Sequence, residues 1–148
     1  MQMASAYSAI ANGGILRRPH IVDTVGGKPQ SEPRGHRIIS SATAASIRHM
    51  LEGVLAPGGT ASEVSIPGYQ LAGKTGTASK IDKATGEYSK TAYIASFIGF
   101  APAKNPKLLT AVVVDEPHSG SIFGGTVAAP AFGQIMSFAL PYLGIAPE

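Results

Sequence analysis

Apolar positions recur at helical spacing in three stretches of this 148-residue chain and crowd into extended runs in the middle. Met3, Ala6, Tyr7 and Ile10 fall on one stripe and predict a helix over residues 1–12. Gly13-Gly14 is the stop signal that follows. Residues 15–25 read as extended, with His20-Ile21-Val22 as the strand and Gly26-Gly27 as a turn. The polar segment 28–36 carries two prolines and reads as a surface loop; Arg37-Ile38-Ile39 is a short strand. Ser40 or Ser41 caps a second helix, whose apolar face is Ala44, Ile47, Leu51, Val54 and Leu55. Pro57-Gly58-Gly59 ends it.

The pattern then changes period. Residues 69–79 read as a strand interrupted by Gly73 and Gly76, and 82–87 as a polar loop. Residues 91–101 and 107–115 are two further strands, joined through an Asn105-Pro106 turn. The run 108–114 is almost continuously apolar, which predicts a strand buried on both faces. Residues 127–143 read as a last helix with Val127, Ala131, Ile135, Phe138 and Tyr142 on its apolar stripe. Pro130 fits its first turn, and Pro141 ends or bends it. Three strands joined by short turns form an antiparallel meander. The fold class is therefore α+β: an antiparallel sheet, made of the meander plus N-terminal strands, flanked by helices in one domain over residues 1–148.

Composition narrows the function. Hydrophobic residues make up 44% and charged residues 14%, so the chain is globular rather than disordered. Its net charge is only +3, and no basic run exceeds Arg17-Arg18, so the cationic stripe of a nucleic-acid binder is missing. The lack of cysteine excludes disulfides and thiolate metal sites and suits an exported protein. Four scattered histidines give no metal-ligand spacing. No apolar run reaches the roughly 18 residues of a membrane span. The first helix starts with no capping residue before it, which leads us to expect a chain cut from a longer one.

The chemistry concentrates in Gly73-Lys74-Thr75-Gly76-Thr77-Ala78. One cation, two hydroxyls and bare backbone amides make a receptor for a carboxylate or an oxyanion. Alternation puts Thr75, Thr77 and Ser79 on one face of the strand and Lys74, Gly76 and Ala78 on the other. Lys74 must then act from the far side or reach round the strand's edge. On an edge strand, the outward N–H and C=O of Thr77 can pair with an extended peptide, and that N–H is a candidate oxyanion donor. The plainer alternative makes Lys74 an edge-strand gatekeeper, the threonines ordinary β-formers and the glycines bulges.

Other candidates carry less. Gly68 to Thr75 fits the spacing of a phosphate-binding loop, but Tyr69-Gln70-Leu71-Ala72 is bulky and strand-like, and no helix follows. His118 with Ser119 and Ser121, near Asp115 and Glu116, suggests a Ser/His/Asp triad only if the side chains converge; a polar surface loop is the preferred reading. His20 and His49 read as structural residues of a strand and a helix, and Thr126 as a helix cap after Gly124-Gly125.

The segment 68–78 resembles the third active-site motif of penicillin-binding proteins. Residues 2–14, 50–61, 96–102 and 124–132 resemble its flanks, so the likeness covers nearly the whole chain except about 26–37. The closest likeness is to class B monofunctional transpeptidases of the cell-division type. The resemblance implies a partial serine-transpeptidase/β-lactamase-like fold and a parent enzyme that cross-links peptidoglycan through a serine acyl-enzyme. It implies Lys74 in the active-site hydrogen-bond network, Thr75, Gly76 and Thr77 at the substrate carboxylate, and the Thr77 N–H as oxyanion donor. It further implies D-Ala–D-Ala stem peptides and β-lactams as ligands, no metal or organic cofactor, the remainder of the domain as partner, and a place on the outer face of the bacterial cytoplasmic membrane. The family also needs Ser-x-x-Lys and Ser-x-Asn, and no serine here has either partner. The chain is thus expected to be a C-terminal portion, inactive alone, with an exposed docking face that favours a homodimer. The alternatives are a non-catalytic peptidoglycan- or partner-binding module, and a fragment of a β-lactamase or D,D-carboxypeptidase.

Overall fold

The strand predicted over residues 91–101 becomes the middle of a sheet. A computed structural model describes residues 1–31, 33–118 and 120–148. Its main sheet has the order β5-β6-β7, from β5 (Ala72–Ile81), β6 (Tyr88–Ala101) and β7 (Leu108–Asp115), all antiparallel. This is the expected meander. The central strand β6 supplies the core: Ala95, Phe97, Ile98, Phe100 and Ala101 are buried.

Helices cover both faces. Odd-numbered residues of β6 face α4 (Ala129–Tyr142), where Phe97 and Ala101 join Phe132, Met136, Leu140 and Leu71 in one cluster. Phe97 and Phe132 meet at 4.7 Å between ring centroids. Phe100 faces the other way, onto α1 (Gln2–Ala11) and α2 (Ser41–Glu52), with Ala72, Leu51 and Ala103 and the half-buried Tyr7, Ile10 and Ile47. The result is a helix–sheet–helix sandwich.

The short strands β1 (Ile15–Leu16), β2 (Thr24–Val25), β3 (Lys28–Pro29) and β4 (His36–Arg37) form two separate two-stranded ladders beside the meander, β1 with β4 and β2 with β3. Gly26 and Gly27, both at positive φ, make the turn between β2 and β3, as a two-residue hairpin requires. His20-Ile21-Val22 lies outside these strands, and Ile21 is almost fully exposed. The helix cap is Ser40, whose hydroxyl accepts the Thr43 N–H at 3.0 Å. α2 stops at Glu52, before the proline, and Val54 and Leu55 pack on the core from the turns that follow.

Two buried faces differ from the pattern's forecast. The last helix is broken at Ala128 into α3 (Gly124–Val127) and α4, and it buries Ala129, Phe132, Met136 and Leu140. Ile135, Phe138 and Tyr142 of the expected stripe face solvent. Both faces of α4 are apolar, and the one with Phe132 packs on the sheet against Phe97 and Ala101. β7 is also exposed on one side: it is an edge strand, Val112 and Val114 pack on the α4 cluster, and Val113 is 63% exposed. α1 and α2 cover only the Phe100–Leu109 end of that face.

Candidate active-site edge

Lys74, Thr75, Gly76 and Thr77 lie on β5, which among the described residues pairs only with β6 and so leaves one edge free. The register tells which backbone groups face that edge. Glu116 N–H donates to the Tyr93 carbonyl at 2.9 Å, and Lys107 N–H to the Ala101 carbonyl at 3.0 Å. Odd-numbered residues of β6 therefore spend their backbone groups on the β7 side. Their β5 partners, Thr75 opposite Phe97 and Thr77 opposite Ala95, direct their own N–H and C=O outward.

Side-chain alternation holds as well, and the lysine crosses it. Lys74 Nζ lies 3.3 Å from both the Thr75 carbonyl oxygen and Thr75 Oγ1. The ammonium has come round the strand's edge to the hydroxyl face. Thr75 Oγ1 also shares a hydrogen bond with Thr60 Oγ1 at 2.9 Å. Thr60 is held there by the turn after α2, where Ala61 N–H donates to the Val54 carbonyl and Gly59 leaves no room for a Cβ beside Val54 and Gly53.

Thr77 is fixed from the helix side. Gly124 N–H donates to Thr77 Oγ1 at 3.3 Å. A Cβ on Gly124 would run into the backbone of Ser96 and Gly76, so glycine is needed for this approach. With one lone pair taken, the Thr77 hydroxyl keeps its proton free to donate to an incoming acceptor. Lys74 and Thr77 are exposed, and Thr75 and Gly76 are half-buried.

The glycines of the strand are close-approach positions, not bulges. A Cβ on Gly73 would meet the Phe97 ring, and one on Gly76 the Ser96 hydroxyl. The irregularity of β5 lies between Ser79 and Ile81. No helix opens after Thr75, so the phosphate-loop spacing has no structural counterpart.

The remaining candidates do not converge. Asp115 and Glu116 both bind Lys80, at 2.9 and 2.6 Å, and the Ser121 hydroxyl accepts the Phe123 N–H. His118 is exposed; Ser119 lies outside the described residues. His20 belongs to no strand, and His49 is exposed on α2 with Glu52 at 3.9 Å. Thr126 is not a cap, because α3 starts at Gly124 after an N-cap at Phe123. Sequence patterns gave Thr60 and Gly124 no role. The adjacent glycines at 124–125 were the available signal, since both come against backbone.

The molecule is thus an antiparallel meander backed by helices on both faces, with lysine, threonine, glycine and threonine along one edge strand. Residues 1–137 match the penicillin binding protein transpeptidase domain, and the chain belongs to that family. It is 40% identical over 147 residues to the probable peptidoglycan D,D-transpeptidase PenA of Neisseria meningitidis, covering 99% of this chain and 24% of that protein. The transpeptidase domain of penicillin-binding protein 3 from Burkholderia pseudomallei superposes with a TM-score of 0.83 at 42% identity, over 99% of this chain and 43% of that one. Penicillin-binding protein 3 of Mycobacterium tuberculosis, solved with aztreonam, superposes with a TM-score of 0.82 at 30% identity, over 99% of this chain and 36% of that one. These matches are those of a class B enzyme. The chain spans about a quarter of the length of the curated relative.

Proposed function

We propose that this chain is the C-terminal part of a class B, cell-division type D,D-transpeptidase domain and forms one wall of its catalytic cleft. The observation that carries this is the free edge of β5, where the Thr75 and Thr77 hydroxyls share a face and the Lys74 ammonium lies 3.3 Å from Thr75 Oγ1. A D-Ala–D-Ala stem peptide lies along that edge as an added strand. Its terminal carboxylate accepts hydrogen bonds from the two hydroxyls beside Gly76. The scissile carbonyl then sits beside the outward N–H of Thr77.

In the parent reaction, a serine from outside this chain attacks that carbonyl carbon. As the serine oxygen bonds to that carbon, the C=O π pair moves onto the carbonyl oxygen, and the Thr77 N–H stabilises the negative charge developing there in the transition state. The C–N bond breaks, terminal D-Ala leaves with a proton, and an amine of a second stem resolves the ester to an amide. Lys74 contributes positive field and a hydrogen bond to the neighbouring hydroxyl network. A β-lactam places its own carboxylate and carbonyl at the same two positions. The enzyme works on the outer face of the cytoplasmic membrane.

The chain has no Ser-x-x-Lys and no Ser-x-Asn, so it lacks the family's nucleophile and base. Alone it binds without reacting, and its uncovered faces pair with a second copy or with the rest of the domain. The non-catalytic binding-module reading differs only in having no serine partner. A titration of the ¹⁵N-labelled chain with an N-acylated D-Ala–D-Ala dipeptide separates carboxylate recognition from general stickiness. Amide shifts at Thr75, Gly76 and Thr77 that vanish with the C-terminal amide of the same dipeptide support the reading. Equal shifts with acid and amide contradict it.

A further inference from the structure

Lys80 lies three residues beyond Thr77, next to the irregularity between Ser79 and Ile81 where the β5–β6 register shifts. Among the described residues β5 has no strand on its other side, so this stretch is paired through β6 alone. Lys80 Nζ donates to Asp115 Oδ1 at 2.9 Å and to Glu116 Oε1 at 2.6 Å. These two carboxylates stand at the end of β7, so the lysine spans β6 and links both edges of the sheet. Glu116 is also the non-glycine residue at positive φ, among those described, and its N–H is spent on the Tyr93 carbonyl. It opens the connection that leads to Gly124, whose N–H holds Thr77 Oγ1. The connection therefore enters on Lys80 and exits on Thr77, two points three residues apart on the same strand.

We propose that Lys80, with Asp115 and Glu116, is a positioning cluster that sets the Gly124 N–H against the Thr77 hydroxyl. The cluster touches no substrate; it ties the Glu116 end of the connection to β5, and the Gly124 end meets the same strand at Thr77. Its functional meaning rests on the transpeptidase reading of Thr77, but its structural claim does not. An exposed ion network is worth little as general stability, so its effect should be local.

Amide hydrogen exchange of the 148-residue chain tests this with Lys80→Ala, Lys80→Arg and the double variant Asp115→Asn/Glu116→Gln. The Gly124 amide should exchange about fivefold faster in Lys80→Ala and in the double variant, with Ala95 and Phe97 unchanged. Lys80→Arg should restore the wild-type rate, because a guanidinium also reaches two carboxylates. A Gly124 rate unaltered in the double variant overturns the proposal. So does a uniform acceleration of all amides, or an arginine variant that behaves as alanine. If the wild-type chain ignores the D-Ala–D-Ala dipeptide, the transpeptidase reading fails while this exchange result stands.

Discussion

The Thr77 hydroxyl accepts from Gly124 and keeps a donor for a ligand, while its backbone N–H faces the free edge. One residue thus offers two donors on two sides, and substitution separates them. Thr77→Val keeps the strand shape and the N–H and removes the hydroxyl. In the parent enzyme it should slow reaction with a carboxylate-bearing penicillin by about tenfold to a hundredfold, the worth of a hydrogen bond to a charged group. Gel-based labelling with a fluorescent penicillin measures this; an unchanged rate removes the hydroxyl from carboxylate binding. The strand placement of Lys74 to Thr77 and the shared face of the two threonines were legible in the sequence, because an extended segment alternates its side chains with period two. Lys74's route round the edge was legible only as one of two options, since alternation fixes a side chain's root and not its tip. Thr60 and Gly124 were not legible, because their contacts with β5 span 15 and 47 residues of sequence.

The strands and helices followed their periodicity where one face had to be buried. β6 is central and buried, and its apolar run says so. β7 has an equally apolar run, yet lies at an edge and shows Val113 to solvent, because composition does not report a strand's place in the sheet. The last helix offers Phe138 and Tyr142 on one side and Phe132 and Met136 on the other, and only packing against Phe97 and Ala101 decides between them. The pairing of β5 with β7 through Lys80 has a consequence for pH. Hydrogen bonds from Lys80 to Glu116 and then Asp115 raise its pKa above the ordinary 10.5. Burial against α2 and β6 raises Tyr7 above 10.0. Both groups hold protons more tightly folded than unfolded, so stability is level below about pH 10 and falls as pH rises beyond it. Urea midpoints compared at about pH 9 and about pH 11 should show that fall, with Tyr7→Phe losing part of it, since the surface ion pairs of Lys80 add little to global stability. A midpoint that rises with pH would reverse the sign.

The molecule taken whole is a covered sheet whose two edges are unpaired among the described residues, with an apolar outer side of α4 in which Phe138 and Tyr142 stack at 5.5 Å between centroids. On the transpeptidase reading, the catalytic serine comes from outside these 148 residues, because no serine here has the family's lysine or asparagine partner. Incubated with labelled penicillin, the 148-residue chain should therefore show no added mass, since none of its serines has the lysine partner. The parent enzyme should react, and its rate should depend on the β5 edge. Mass spectrometry of the parent after timed exposure to penicillin, wild type beside Lys74→Ala, reads that dependence. The wild type is predicted to gain one penicilloyl group, and Lys74→Ala to lose at least about a hundredfold in rate, as for removal of a group acting only on developing charge. A Lys74→Ala enzyme that acylates as fast as the wild type would contradict the placement of the catalytic cleft along this strand.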